Sequence, residues 1–410
     1  MKPKVTHPPM TQFMYENNEL LVNQVKLSNL KLRAGQTPFY AYDRSVISNK
    51  IADFRSAMPS QLKLHYAIKA NPMPALVDFI APLVDGLDVA SGNELNIALN
   101  SGKPADHVSF AGPGKREVEL AMAIASGVTI NIESFTELER IEALCQSIGS
   151  SAKVAIRVNP DFELKSSGMK MGGGSQQFGI DAELVPDALM KIQEFNLEYQ
   201  GLHIFTGSQN LNQASIQLAH DNLFQLASKI SLHAPQPIKS LNIGGGLGIP
   251  YFPGENPLPL DSISESLAKH IQSFQKQFGD IDIAMELGRY LVGEAGIYVA
   301  QVTDIKESRG VRFAVVDGGL HHHLSASGNF GQVIRKNYPV AIGNKMGLPT
   351  KQALQIVGPL CTPLDILANK YNLPECEIGD LVVIYQSGAY GYSASPRDFL
   401  DHPHPVQMLV

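Results

Sequence analysis

From about residue 62 to residue 288, short apolar runs alternate with longer stretches in which apolar positions return every three or four residues. The short runs lie near 62–68, 86–90, 107–111, 128–132, 153–158, 199–205, 239–243 and 281–286, and their length predicts eight strands. Helical spacing between them predicts helices such as Pro74–Leu83, Glu94–Asn100, Glu117–Ser126, Thr136–Ile148 and Ser262–Phe278. Ser134-Phe135-Thr136-Glu137 has the form of a capping box, in which hydroxyl and carboxylate each satisfy a free backbone N–H of the first turn. Eight β-then-α units in series predict a (β/α)8 TIM barrel. A doubly wound sheet is the alternative, but no Gly-x-Gly-x-x-Gly follows the first strand.

After about residue 290 the helical period fades, and Ile297–Ile305, Arg312–Val316, Leu354–Ile356 and Leu381–Tyr385 read as strands separated by Gly, Pro and Asn turns. The expected division is therefore a barrel over 36–290, a C-terminal β-domain over 291–410, and an N-terminal segment, 1–35, whose Glu19–Val25 run adds a strand to that β-domain. The glycine-rich stretch Gly168–Gly174, between the fifth strand and its helix, is expected to be a mobile active-site loop.

Composition narrows the partners. With 410 residues, 44% hydrophobic and 18% charged, the chain can bury a large core in two domains. A formal charge of −6 offers no basic patch for nucleic acid, and no Lys/Arg cluster adjoins an amphipathic helix for a membrane surface. Three cysteines are too few for a disulfide framework, and Met1-Lys2-Pro3-Lys4 leads into prolines without an apolar targeting segment, so a reducing cytoplasm is expected.

Active sites of such barrels lie at the C-terminal ends of the strands, and polar residues recur there. Lys69 closes the first strand in Tyr66-Ala67-Ile68-Lys69-Ala70-Asn71, Asp88 the second and Arg157 the fifth. Thr206-Gly207-Ser208-Gln209 follows the sixth, Gly244-Gly245-Gly246 the seventh, and Glu286 with Arg289 the eighth. Singly, each has an ordinary explanation: a snorkelling lysine, a strand-end salt bridge, a turn. Together they converge on one face. A desolvated lysine at a strand end suits Schiff-base chemistry, because burial favours the neutral, nucleophilic amine. Glycines after strand seven let backbone N–H groups surround an anion, and Arg289 adds charge for a phosphate. A carbonyl for the lysine, a phosphate for the glycines and a basic ring nitrogen for Glu286 are together supplied by pyridoxal 5′-phosphate.

At this point the chain resembles the fold-type III pyridoxal-phosphate decarboxylases of the diaminopimelate/ornithine/arginine group over nearly its whole length. The matching motifs, besides that around Lys69, are Asp88-Val89-Ala90-Ser91, Arg157-Val158-Asn159-Pro160, Gly207-Ser208-Gln209, Gly244-Gly245-Gly246, Glu286-Leu287-Gly288-Arg289, Gly358-Pro359-Leu360-Cys361 with Asp365, and Ser387-Gly388-Ala389-Tyr390-Gly391. The resemblance implies an alanine racemase/ornithine decarboxylase-like fold and an amino-acid decarboxylase working as a homodimer with shared sites. It implies that Lys69 carries the cofactor, Glu286 pairs with the pyridine nitrogen, and Gly244, Gly245, Gly246, Arg289, Ser208 and Tyr390 hold the phosphate. It places Asp88, Arg157 and Phe205 around the cofactor and Arg335, Thr362 and Asp365 around the substrate. Cys361 matches the cysteine that a second subunit contributes to protonate the product carbanion.

The departures bear on substrate. Diaminopimelate decarboxylases carry a histidine where this chain has Phe205, Glu-Ser where it has Thr362-Pro363, and Ser-Lys-Phe-Gly where it has Gln176-Gln177-Phe178-Gly179. The Val315–His323 and Asn329–Arg335 regions also differ. These variants resemble the decarboxylases of glutamyl thioesters on an acyl carrier protein and those associated with exosortase clusters. The substrate is therefore free meso-diaminopimelate, which would place the chain in lysine biosynthesis, or a carrier-bound or other unusual amino acid. An amino-acid racemase is disfavoured by Glu286, where racemases carry arginine, and a non-catalytic relative by retention of Lys69, Arg289, Cys361 and Tyr390. His321-His322-His323 invites a metal reading, but neighbours on an extended segment point to opposite faces, so polar contacts lining the site are expected and no metal.

Overall fold

The computed structural model describes residues 6–162, 169–170, 173–332 and 334–410. Two compact units emerge: Ile51–Ile249 with Pro257–Gly288, and Met1–Lys50 with Pro250–Asn256 and Arg289–Val410. Part of Gly168–Gly174 lies outside the described residues, as does Val333.

In the first of these units eight parallel strands, Leu62–Ala67, Gly86–Val89, Val108–Phe110, Thr129–Ile132, Lys153–Asn159, Glu198–His203, Ser240–Gly245 and Asp282–Leu287, pair in sequence order. The eighth returns to the first, with Ile283 opposite Leu62 and Glu286 opposite His65, and closes the barrel. All eight coincide with the apolar runs. Strands covered on both faces must be apolar almost throughout, and six consecutive residues of Lys153–Asn159 are buried. An additional short strand, Ile180–Asp181, lies parallel to Lys153–Asn159. The helix Phe135–Ile148 begins at Ser134, whose hydroxyl accepts from Glu137 N–H. The reciprocal arm of the expected capping box differs: the Glu137 carboxylate accepts from Glu133 N–H, one residue before the cap, and also receives the Lys115 amine. An acid in the first turn was legible, but the buried lysine that reorients it is distant in sequence.

The second unit is a mixed sheet. Its strands run Val340–Ile342, Leu381–Ile384, Gly296–Ser308, Val311–Val316, Gln352–Val357 and Ile366–Leu373 across the sheet, mostly antiparallel. Phe39–Tyr42 pairs antiparallel with the long strand Gly296–Ser308 and parallel with Val406–Leu409. This strand lies within the range 36–290 expected for the barrel, yet it belongs to the mixed sheet. Phe39 and Ala41 are fully buried in a cluster with Ile297, Val299, Val383 and Met408, and that burial decides the assignment. Glu19–Val22 does not extend this sheet. It pairs with Tyr15–Glu16 and Val25–Lys26 in a three-stranded sheet of its own, from which Leu20 and Val22 insert into the same cluster. Among the described residues no helix is long and apolar enough to cross a membrane.

Candidate active site

The C-terminal end of the barrel gathers most of the expected residues. The first strand stops at Ala67, and a single 3-10 turn, Ile68–Ala70, carries Lys69 beyond it. Tyr66 beneath is fully buried, and its hydroxyl donates to Asn71 O at 2.9 Å, fixing the turn. The Lys69 side chain is 44% exposed, so the amine is less desolvated than the apolar run suggests. Its Nζ lies 3.9 Å from Glu286 Oε1 and 5.4 Å from the centroid of the buried Phe205 ring. The cation thus has a carboxylate and an aromatic face within reach.

Glu286 is buried near the end of the eighth strand. Its Oε2 lies 3.2 Å from Nε2 of His203, which ends the sixth strand, and 3.5 Å from the Asn242 amide. Burial alone would raise this carboxyl's pKa. The charges of His203, Lys69 and Arg157 outweigh it and hold the carboxyl well below the usual carboxylate range. His203 is the residue that sequence reasoning missed. A signal was available, because His203 closes the sixth strand, at the barrel end where the other polar residues collect.

The remaining barrel residues divide into partnered and unpartnered groups. Arg157 donates from Nη1 to Glu133 Oε1 at 2.8 Å and lies 4.8 Å from the Phe178 ring. Asp88 Oδ1 lies 3.4 Å from His65 Nδ1, whereas its Oδ2 is buried without a hydrogen-bond partner. Ser208, on a two-residue strand Gly207–Ser208, likewise has a buried Oγ with no partner. The glycine run packs tightly. A Cβ at Gly245 would lie 1.8 Å from Glu286 O, and one at Gly246, where φ is +86°, would lie 2.3 Å from Gly207 O. Only glycine fits there. One of its N–H groups is already committed, since Gly244 donates to Asn242 Oδ1 at 2.8 Å.

In the mixed-sheet unit, Arg289 Nη1 donates to Tyr251 OH at 3.2 Å and its guanidinium carbon lies 4.7 Å from the Tyr390 ring. Cys361 is exposed, in the turn that continues through Thr362. Asp365, expected at the substrate, is buried and bound by backbone: Leu320 N–H donates to Oδ1 at 2.6 Å and Leu360 N–H to Oδ2 at 2.9 Å. It ties two loop segments together. Arg335 donates from Nη2 to Ile366 O, while its Nε is buried without a partner. The three histidines depart from the expectation that they line the site. They lie in a turn whose N–H groups return to Gly319 O, and all three are fully buried in this unit's core. Burial pushes His321 down to about 4 and His322 and His323 to about 3, so they are neutral. His323 Nε2 is bonded to Ser387 Oγ at 2.8 Å.

Comparison with known proteins adds the family. Residues 44–293 match the model described as "Pyridoxal-dependent decarboxylase, pyridoxal binding domain". An L-glutamyl (BtrI acyl-carrier protein) decarboxylase of Niallia circulans is 36% identical over 95% of this chain and 92% of its own length. A diaminopimelate decarboxylase of Aquifex aeolicus is 32% identical over 97% of this chain and 91% of its own. Among solved structures, the Helicobacter pylori diaminopimelate decarboxylase complexed with L-lysine superposes with a TM-score of 0.81 at 26% identity, covering 93% of this chain and 94% of that one.

Proposed function

We propose a substrate for a chain that belongs to the pyridoxal-dependent decarboxylase family and is a diaminopimelate-decarboxylase-like carboxy-lyase using pyridoxal 5′-phosphate: an α-amino acid whose far end is a carrier thioester. The observation that carries this reading lies in Cys361–Asp365. Relatives that take a second amine have an acid just after the cysteine, whereas Asp365 is the one carboxylate in this segment and both its oxygens receive backbone N–H groups. No acid there is left for a distal ammonium. A site without that charge-assisted contact gains nothing from a free diamino acid. The similarity to the carrier-protein decarboxylase supports the same substrate.

The residues fit the cofactor. Ser208 Oγ is a buried hydroxyl awaiting an acceptor, the glycine run keeps the neighbouring backbone clear of side chains, and Glu286 is ionised beside Lys69. In this reading Ser208, the glycines, Arg289 and Tyr390 would hold the phosphate, and Phe205 would pack beside the cofactor near Lys69. Bound there, the cofactor supplies an electron sink for the pair released as the Cα–carboxylate bond breaks. Lys69 would anchor the cofactor through its amine. Glu286 would pair with the ring nitrogen and favour its protonated form, and His203 and Asn242 position Glu286. Asp88 and Arg157 shape the polar floor. Cys361, contributed by a second copy of the chain in a homodimer, gives a proton to Cα once carbon dioxide has left. The working compartment is the cytoplasm.

The test is carbon dioxide release from a glutamyl carrier thioester and from meso-diaminopimelate under matched conditions. Higher kcat/KM on the thioester is expected. Selective turnover of meso-diaminopimelate overturns the reading and returns the chain to lysine biosynthesis.

A further inference from the structure

The mixed-sheet unit contains a second cavity, of about 700 Å³, that none of the chemistry above uses. Three cations, Arg335, Lys336 and Lys370, stand in its wall beside an apolar surface that includes Met10, Val340 and Tyr385. Among the described residues its wall contains no Asp or Glu, and none of the three cations forms an ion pair. Arg335 Nε is buried without a partner. Lys336 lies 5.4 Å from the Phe252 ring. His7, also in the wall, is committed through both nitrogens, to Asn337 O and Tyr371 OH, and contributes no further charge. Charged groups left unpaired around a concavity cost self-repulsion that an anion would relieve. The volume far exceeds a bare phosphate and suits a ligand with an organic body.

The cavity adjoins the Arg289 cluster. Asn337 and Pro339 line it, and Tyr338 between them packs its ring 4.7 Å from Tyr251, whose hydroxyl takes the Arg289 hydrogen bond. One aromatic layer separates the two.

Resting on the carrier-thioester reading, we propose that this cavity binds the phosphate end of the carrier's phosphopantetheine arm. Arg335, Lys336 and Lys370 receive the phosphodiester, and the apolar wall takes part of the arm. Free diaminopimelate would leave the cavity unused, so the cavity ties the substrate's chemistry to its size.

The first experiment is calorimetric and independent of turnover. Holoenzyme is titrated with 4′-phosphopantetheine, with pantetheine lacking the phosphate and with inorganic phosphate, in the wild type and in Lys336→Ala/Lys370→Ala. Both lysines are exposed, so the fold should tolerate the change. The phosphorylated arm should bind about tenfold more tightly than pantetheine to the wild type, with the advantage lost in the double variant and reduced by salt. Equal binding of the two arms, an advantage that survives the double variant, inorganic phosphate binding as tightly as the arm, or no binding at all each overturns the proposal. The second experiment measures turnover of the glutamyl carrier thioester, where the double variant should raise KM about tenfold with kcat unchanged. An unchanged KM with an active enzyme overturns the cavity's role and leaves the carrier reading standing. No turnover of the thioester by the wild type defeats the carrier reading, and the calorimetry still judges the cavity.

Discussion

Two lysine–glutamate pairs in one barrel have opposite designs. Lys115 and Glu137 are 1% and 2% exposed and 3.0 Å apart. The Lys115 amine donates to Gly112 O, Asn131 O and Glu137, and the far oxygen of Glu137 accepts from Glu133 N–H. Every proton and lone pair with an obvious use is spent. Lys69 and Glu286 are 3.9 Å apart, beyond hydrogen-bond distance, with the lysine 44% exposed and the carboxylate 5%. The saturated pair is sealed inside the barrel, whereas Lys69 stands nearly half exposed at a strand end and Glu286 is held in place by His203 and Asn242. Exposure of the amine and the distance between the two charges separate the pairs.

The contrast predicts opposite failures. Lys69→Ala should abolish turnover, and because the residue is nearly half exposed the unfolding free energy of the cofactor-free protein in urea should change by no more than about 0.5 kcal/mol. Marked destabilisation would show that Lys69 is structural after all. Lys115→Met leaves Glu137 charged and uncompensated, and should cost about 3–5 kcal/mol in urea unfolding while the folded fraction keeps its specific activity. A stable Lys115→Met protein would erase the distinction. Glu286→Gln should lower kcat by roughly 10²–10³-fold, as for the loss of one electrostatic stabiliser, with the cofactor still bound, as read from its absorbance. His203→Phe should have the smallest effect, roughly tenfold in kcat, being a positioning residue whose loss leaves Glu286 in place.

The pH profile sharpens that last case. In the wild type the Glu286 carboxyl sits far below its ordinary 4.5. A depressed carboxyl pKa contributes stability that is present above the unfolded value and lost as pH falls through the folded value. Without His203, burial acts with less opposition, the folded pKa rises, and the acid limb of kcat/KM should move upward. The stability lost should appear at neutral pH and vanish in strong acid. An acid limb that stays where it is in His203→Phe would remove His203 from the control of Glu286.

The barrel was legible because a parallel strand covered on both faces has to be apolar, and residues such as Val154, Ile156 and Val158 announce that locally. The gathering of Lys69, Glu286, Ser208 and the glycines at the C-terminal strand ends was legible through the same strand assignment. Phe39–Tyr42 was assigned to the wrong unit because its pairing partners, Ile297 and Met408 among them, lie far along the chain and leave no local trace. Asp365 was read as a substrate ligand because a sequence cannot show that two backbone N–H groups already occupy it. The three histidines were read on an extended segment, and the turn that buries them depends on returns to Gly319 O.

The same strand, Phe39–Tyr42, also has a consequence for how the protein is made. Its two neighbours are Gly296–Ser308 and Val406–Leu409, so its last partner is translated about 360 residues after it. At ~5–20 residues per second a ribosome needs roughly 20–70 s to cover that distance. Through that interval a four-residue segment, every position of which is buried in the finished sheet, has an unsatisfied edge. Within the barrel each strand meets the next one in sequence much sooner, and only the closing pair of first and eighth strands is also far apart along the chain. The nascent chain therefore depends on shielding of an early apolar strand until its last neighbour emerges.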